Sequence, residues 1–407
     1  PRCPGRRYRQ VEGKRRGLNG VAMSKSPVLE QIRIDAGFFQ ARSGDAEALG
    51  RLPDETVRRM REIGVIRMLQ PLDRGGLQAT PSEFFESVME ISALCGAAGW
   101  VAGIVGVHPW EMAVCDPKVQ EEVWGSDEDT WIASPYAPMG RARPVDGGWM
   151  LSGHWQFSSG TDHCDWIFLG GLVTGQAGEL GPAPQMMHFI LPRADYEIVD
   201  GSWEVVGLRG TGSKDIRVRD VYVPAYRAVD ADAVIDGRAS RDAGRTEPLY
   251  RMPWSAIFPA AITAAVIGIC EGGIAACIDY QRGRPRRVGE ALAAIGEAAS
   301  EVHAARCQLL ANASAMFDLA SSGREVPMTL RAQGRRDQTR CSWRAVEALD
   351  RAFGRCGGNS IRLDQPVQQF WRHAHAGLNH QINTPGAVYR NYVLTELGTP
   401  LPPDAFV

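Results

Sequence analysis

Apolar positions change their rhythm twice along this chain. Over residues 24–125 they recur at helical spacing. In "LPDETVRRMREIGVIRMLQP" they fall at Val57, Met60, Ile63 and Ile66, one face of a helix, with Asp54 or Thr56 placed to cap it. In "TPSEFFESVMEISALCGAAGWVAGIVGVHPW", Thr80 or Ser82 is the candidate cap, with Glu83 or Glu86 behind it in capping positions. The second half of that segment, Ala97 to Val107, is small and apolar on every side, which predicts a helix buried among other helices.

From Trp131 to about Pro224 the rhythm shortens. Runs such as "GGWMLSGHWQFSS", "CDWIFLGGLV" and "MMHFILPR" alternate with Gly, Pro and Asp turns, the spacing of an antiparallel β domain. A polar linker, 230–247, follows. Helical periodicity then returns, and "IGEAASEVHAARCQLLANASAMFDLA" and "RRDQTRCSWRAVEALDRAFGRC" are long amphipathic segments suited to a four-helix bundle. The expected division is a basic extension 1–22, a helical domain 23–130, a β domain 131–229 and a helical bundle 230–407. That order excludes a doubly wound sheet, which needs strands and helices alternating along the chain.

Composition narrows the function classes. The net charge of −2 argues against nucleic acid as a partner, because duplex binding rests on excess Lys and Arg. The basic residues are nonetheless concentrated at the start, seven Arg or Lys against one Glu within 1–22. That stretch lacks an apolar core of the signal-peptide kind, and we take it as a disordered tag or over-extended reading frame ahead of Met23. Nine scattered cysteines without a C-x-x-C pair fit reduced thiols in a cytoplasmic protein. The longest apolar run, Ala256 to Cys270, spans 15 residues and contains Pro259. A membrane-spanning helix needs about 20, so a buried helix and no membrane contact are expected.

The candidate chemistry begins with an exclusion. "GLRGTGSK", Gly207 to Lys214, resembles a phosphate loop, yet it precedes a strand and supplies no helix N-terminus for a phosphate. On spacing it is either a plain β-turn or a tight turn whose backbone amides and Thr211 or Ser213 hydroxyls face a ligand. "FWRHAHAGLNH" holds three of the eight histidines. On one continuous helix His373 and His375 would lie about 200° apart, and His373 and His380 roughly 10 Å apart along the axis, so no metal site is expected. His154 and His163 flank a β segment and are taken as structural. His108 differs, because it ends an apolar helix ahead of Pro109, where helices tend to stop. An imidazole there can serve as a general base, although a lone histidine in such a place is more often structural. "HWQFSSGTDH" brings Trp155, Phe157 and two serines together, a set suited to a flat conjugated ligand or to a β core with a polar edge.

The segments "LPDETVRRMREIGVIRMLQP", "GWVAGIVGVHPW", "EEVWG", "SPYAPMGRARPVDGGWMLSGHWQFSSG", "VGLRGTGS", "VYVP", "RRDQ" and "FWRHAHAGLNH" follow one another through most of residues 50–400. In that order they resemble the oxygenase components of two-component flavin-dependent monooxygenases, which have the acyl-CoA dehydrogenase fold. The nearest branch is the one that hydroxylates steroid-derived phenols. The resemblance implies an α+β protein in three parts with a central antiparallel β-barrel domain, assembled as a homotetramer. It implies reduced FMN or FAD delivered by a separate NAD(P)H-dependent flavin reductase. O2 would add to the flavin as a C4a-hydroperoxide, whose distal oxygen passes to the ring ortho to the phenol hydroxyl.

By the same resemblance His108 is the base for the phenol and Ser134 a hydrogen-bond partner of its oxygen. Ser159 faces flavin N5 and His380 the peroxide. Trp155, Phe157, Thr211 and Ser213 would lie against the flavin. Its phosphates would be held by "RGRPRR", represented by Arg282, and by "CGGNS", with Gly357 and Gly358, partly across a subunit interface. Relatives usually carry Asp in place of His373. Competing readings are an acyl-CoA dehydrogenase, an N-hydroxylating relative and a scaffold that has lost flavin chemistry. The first needs a carboxylate base in a "YEGT"-like stretch where this chain has "HAGLNH". His108 with Ser134 counts against the second, and the full set of four catalytic candidates against the third.

Overall fold

The computed structural model describes residues 26–285, 288–402 and 405–407. The basic stretch 1–22 lies outside them. The N-terminal helices are α1 (Pro27–Ile34), α2 (Ala36–Ala41), α3 (Ser43–Leu49), α4 (Asp54–Ile63), α5 (Pro81–Leu94), α6 (Gly96–Met112) and α7 (Pro117–Trp124). Strands follow: β1 (Ile132–Ala133), β2 (Gly140–Val145), β3 (Gly148–Ser158), β4 (Trp166–Val173), β5 (Met186–Pro192), β6 (Glu197–Val199), β7 (Lys214–Pro224) and β8 (Ala228–Asp230). The chain ends in α8 (Ala231–Asp236), α9 (Arg238–Asp242), α10 (Trp254–Arg282), α11 (Gly289–Ser321), α12 (Met328–Phe353), α13 (Pro366–Leu378) and α14 (Pro385–Glu396).

Local chemistry accounts for most of these boundaries. Thr80 and Glu83 form the reciprocal capping box at the start of α5. At α4 the N-cap is Pro53, and neither Asp54 nor Thr56 caps: Asp54 is already the first helical residue. The linker 230–247 folds into α8 and α9, started by Asp230, whose side chain accepts from the amides of Asp232 and Ala233. The sheet also departs from expectation. Its order is β6-β7-β3-β2-β4-β5-β8, with β6 and β8 at the ends and β1 beside β4, and the β2–β4 and β1–β4 pairs are parallel. A barrel closed by antiparallel ladders throughout is therefore not what these strands build. Parallel pairing needs a crossover, and β3 supplies the one between β2 and β4.

The core lies where α5, α6 and α10 meet. All of α6 is buried, as its all-round apolar pattern requires. Glycines permit the contact: a Cβ on Gly99 would fall 2.0 Å from the Ser92 hydroxyl, and one on Gly268 of α10 would fall 2.3 Å from the Met89 carbonyl. Helix α10 is long and apolar enough to cross a bilayer, yet 78% of its most apolar window is buried inside the fold. It serves as the central core helix, packed against α5, α6, α11, α12 and α13. A smaller core of Met112, Val119, Trp124, Ile132, Phe168 and Ile190 joins the end of α6 and α7 to the sheet.

A half-buried ion cluster clamps the N-terminal helices to α13. Glu47 on α3 meets Arg372 at 2.7 Å and His373 at 3.1 Å. Burial alone would raise the Glu47 carboxyl, but its bonds to His373 and Arg372 outweigh that and bring it down to about 2. A depressed carboxyl contributes stability above its ordinary value near 4.5, and that contribution is lost as pH falls toward 2. Glu47→Gln should therefore cost about 1–3 kcal/mol at neutral pH. Melting curves should show the gap from wild type closing as pH falls from 5 toward 2; a gap independent of pH refutes the assignment.

Candidate active site

Helix α6 carries His108 into the junction between helices and sheet. Pro109 does not end the helix as expected; α6 continues to Met112. The proline only removes one amide donor, a loss that packing on every side of α6 offsets. Continuation has a consequence for the site, because it sets Glu111 one turn after His108 on the same face.

The His108 ring is fully buried. Its Nδ1 lies within hydrogen-bond reach of the Ile132 carbonyl on β1, a contact that ties helix to strand. A carbonyl only accepts, so Nδ1 must carry the proton and donate. Nε2 is then an unprotonated acceptor, and it has no partner among the described residues. Burial brings the imidazole down to about 4. His108 is a neutral base with its lone pair unspent.

His380 takes the opposite tautomer. Its Nδ1 accepts from the Ile382 amide at 3.2 Å, which leaves Nε2 to carry the proton as a donor. Protein crowds this ring on most sides although one edge stays open, and burial holds it down to about 4. The two histidines are linked by aromatic contacts. Tyr136 lies 5.7 Å from His108 and 5.4 Å from Phe258, and Phe258 lies 6.3 Å from His380. Trp254 stacks on Phe258 at 5.5 Å. Such a cage suits an aromatic ring, with an acceptor at one end and a donor at the other.

A row of hydroxyls adjoins it. Trp100, whose ring is 6.1 Å from His380, donates its indole N–H to Ser159 at 3.1 Å. Ser159 and Ser213 are 2.7 Å apart, Ser213 and Thr211 2.6 Å, and Thr211 donates to the Leu208 carbonyl at 2.8 Å. An indole that only donates at one end and a carbonyl that only accepts at the other force one direction on the row. Ser159 accepts from Trp100, gives its proton to Ser213, and retains one lone pair. That lone pair suits an N–H donor, which a reduced flavin carries at N5 and an oxidised flavin does not. The residues fit the reduced cofactor.

Trp155 and Phe157 part company. Alternation along β3 would put both on one face, but the β3–β7 register shifts between Trp155 and Ser158, and Phe157 takes a φ of 67°. Trp155 consequently points into the sheet core, fully enclosed, with its indole donating to the Gly170 carbonyl at 2.7 Å. It offers no surface to a flavin, contrary to the sequence expectation. Phe157 turns outward, 65% exposed beside Trp203, a free aromatic face next to Ser159. Trp155→Phe should lower stability by about 1–3 kcal/mol, as a shrunken core side chain does, and leave reduced-flavin affinity unchanged. A weakened affinity in a binding titration would return Trp155 to the cofactor.

The phosphate candidates lie elsewhere, at a groove of about 1160 Å³ lined by residues that include Tyr280, Gly283, Arg284, Asn359, Arg362 and Phe370. Arg282 does not line it; its side chain is 70% exposed and paired with Asp279. Among the described residues the arginine that reaches "CGGNS" is Arg284, donating to the Cys356 carbonyl at 2.7 Å. Gly357 is required by its φ of 88°, while Gly358 faces open space. Arg286 and Arg287 lie outside the described residues. No residue of the His108–His380 cage lines this groove.

The remaining histidines are separated by the fold. Helix α13 ends at Leu378, so His380 shares no helical face with His373. His373 meets Glu47 at 3.1 Å, His375 meets Asp350 at 2.8 Å, and His154 meets Asp215 at 2.9 Å.

The sequence reading missed Trp100, Tyr136, Phe258, Glu111 and His188. Glu111 had a usable signal, a carboxylate three residues after a candidate base on an otherwise apolar helix. His188 had none. It reaches the site only because β5 lies beside β4.

Comparison with known proteins bears on this arrangement. Residues 260–385 match the family model of the acyl-CoA dehydrogenase C-terminal domain. The chain is 53% identical over 378 residues to a pigment production hydroxylase of Rhodococcus erythropolis, covering 91% of this chain and 96% of that one. It is 32% identical over 368 residues to the oxygenase component of an FADH2-dependent resorcinol hydroxylase from a Rhizobium species, covering 85% and 88%. A crystal structure of the HsaA monooxygenase from Mycobacterium tuberculosis superposes with a TM-score of 0.89 at 42% identity, over 94% of this chain and 99% of that one. With this cage of opposed histidines and this row of hydroxyls on an acyl-CoA dehydrogenase-like scaffold, the chain belongs to the family of flavin-dependent monooxygenase oxygenase components.

Proposed function

We propose that this protein hydroxylates a phenol, steroid-derived or similarly polycyclic, ortho to its hydroxyl, with reduced FMN or FAD and O2 as co-substrates. The reduced flavin would come from a separate NAD(P)H-dependent reductase, and the working enzyme would be a cytoplasmic homotetramer. The observation that carries the reading is the unpartnered Nε2 of His108 inside an aromatic cage. A buried acceptor without a partner costs about 1–3 kcal/mol and is retained where a ligand donor completes it. A phenol hydroxyl is such a donor, and drawing its proton away raises electron density on the ring.

Bound flavin supplies, with O2, the oxygen atom that enters the ring. The protein's own groups do the rest. Ser134 and His108 hold the phenolic oxygen, Ser159 receives the flavin N5 hydrogen, Phe157 offers its exposed face to the ring system, and His380 directs a donor toward the reacting oxygen. Arg284 and the Gly357 turn are placed for the phosphates. An acyl-CoA dehydrogenase would need a free carboxylate over the substrate carbon. The carboxylate nearest the cage, Glu111, is engaged by Tyr136 and His188.

The test uses chemically reduced FMN and FAD, so that no reductase is needed. With ¹⁸O₂ and a panel of bicyclic and steroid-derived phenols, an amine and an acyl-CoA, mass spectrometry should find one heavy oxygen in a catechol. Labelled hydroxylamine or a desaturated acyl-CoA, with no catechol, would overturn the reading.

A further inference from the structure

Arg335 on α12 is a charge buried without a counterion. Its side chain is only 3% exposed. Burial brings the guanidinium down to about 10, which leaves it protonated at neutral pH. Among the described residues it forms no ion pair, and the nearest acid along α12, Asp337, is taken by Arg336 and Asn312. A methionine would fill this place at lower cost, because a lone charge is expensive to take out of water. The partners of Arg335 are all neutral acceptors. It donates to the Gln338 side-chain oxygen at 2.9 Å, to the Ile382 carbonyl at 2.8 Å and, at the limit of reach, to the Thr339 hydroxyl at 3.5 Å.

Two of these acceptors lead to two sides of the cage. Ile382 belongs to a single 3-10 turn, Gln381–Asn383, which His380 caps: the Ile382 amide donates to His380 Nδ1 at 3.2 Å. Holding the carbonyl of Ile382 therefore steadies the residue whose amide gives His380 its tautomer. The other arm runs to α10. Gln338 receives Arg335 at its oxygen and donates its amide to the Ser255 carbonyl at 3.1 Å. A guanidinium only donates and a carbonyl only accepts, so the glutamine has one orientation. The Ser255 carbonyl is open to it because the residue four places on is Pro259, which has no N–H to give. Ser255 sits in the first turn of α10 beside Trp254, whose ring stacks on Phe258 at 5.5 Å, and Phe258 lies 6.3 Å from His380. One side chain on α12 thus ties the turn that carries His380 to the helix that carries the aromatic wall.

We infer that Arg335 is a positioning residue for oxygen transfer, holding the His380 N–H in register with the aromatic wall against which the substrate ring lies. This rests on the phenol-hydroxylase reading. Arg335 acts through Ile382 on His380 and through Gln338 on the start of α10, while His108 remains the base. A guanidinium suits the task because its planar fork presents separate N–H groups at a set angle, where a lysine offers one compact charge on a flexible stem. Arg335 and Gln338 are the first and last residues of "RRDQ", a segment to which spacing assigned no task.

Two measurements on the full-length protein test this. Hydrogen–deuterium exchange read by mass spectrometry reports on the turn at rest, and catechol formed per reduced flavin oxidised reports on the reaction. In Arg335→Met the amides of 380–384 should exchange about tenfold faster than in wild type, with α10 and α12 still protected. Coupling should fall about ten- to a hundred-fold, with peroxide making up the difference and KM for the phenol little changed. Added to His380→Ala, the same substitution should lower coupling no further, because its effect passes through the imidazole. Arg335→Lys keeps the charge but serves one acceptor at a time, so it should recover part of the coupling, and it carries the test if the methionine variant does not fold. Unchanged exchange in the turn, faster exchange with coupling intact, or a loss that adds in full to that of His380→Ala overturns the assignment. If the wild type makes no catechol from any phenol, the reading beneath falls, and the exchange result still decides whether Arg335 holds the turn.

Discussion

His108→Asn should cut product formed per reduced flavin oxidised by about a hundred- to ten-thousand-fold, the usual span for loss of a general base. The asparagine amide can take over the place of Nδ1 and donate to the Ile132 carbonyl, so the α6–β1 tie survives. What disappears is Nε2, the acceptor that no protein group satisfies. Flavin oxidation should continue and appear as hydrogen peroxide, which separates loss of substrate activation from loss of the fold. The wild-type pH profile carries a second check. Burial brings His108 down to about 4, so its lone pair stays available from neutral pH down to that value. Activity should show no loss centred between pH 7 and 5 that His108→Asn removes. Such a loss would mean a solvent-exposed imidazole and a different base.

Ser159→Ala should uncouple the reaction about tenfold, measured as peroxide released against catechol formed. The serine stands between an indole that only donates and a row of hydroxyls that ends on a carbonyl, and it keeps one lone pair that no bond in the row uses. Without it, the Trp100 N–H loses its acceptor and a flavin N5–H would have none. Ser213→Ala breaks the row one step further on and leaves Ser159 free to rotate, so a smaller effect is expected there. Equal coupling in both variants and in wild type would remove the row from the chemistry.

The outline of the site was visible in the residues because local rules govern it. His108 stands at the end of an all-apolar helix, the "HWQFSS" run alternates, and "GLRGTGS" lies ahead of a strand. Each was placed from spacing alone. The errors came where a local rule met packing. Pro109 does not stop α6, because burial on all sides offsets one lost amide bond. Trp155 and Phe157, two residues apart, should share a face, and a single bulged residue at positive φ sends one into the core and the other to the surface. That "RGRPRR" and "CGGNS" meet was not legible in the sequence; where α10 ends brings Arg284, among the described residues, to the Cys356 carbonyl.

By itself the sequence determined the helical, β, helical order and the buried character of α6 and α10, and it narrowed the cap of α5 to Thr80 or Ser82. Periodicity and capping act over a few residues, so they can be read from the chain. Only the tertiary structure decided how the site is wired. His188 comes to Glu111 across 77 positions of sequence, and Ser159 to Trp100 across 59. A tautomer is set by a partner's ability only to give or only to take a proton, and those partners are brought together by packing, to which linear spacing is blind.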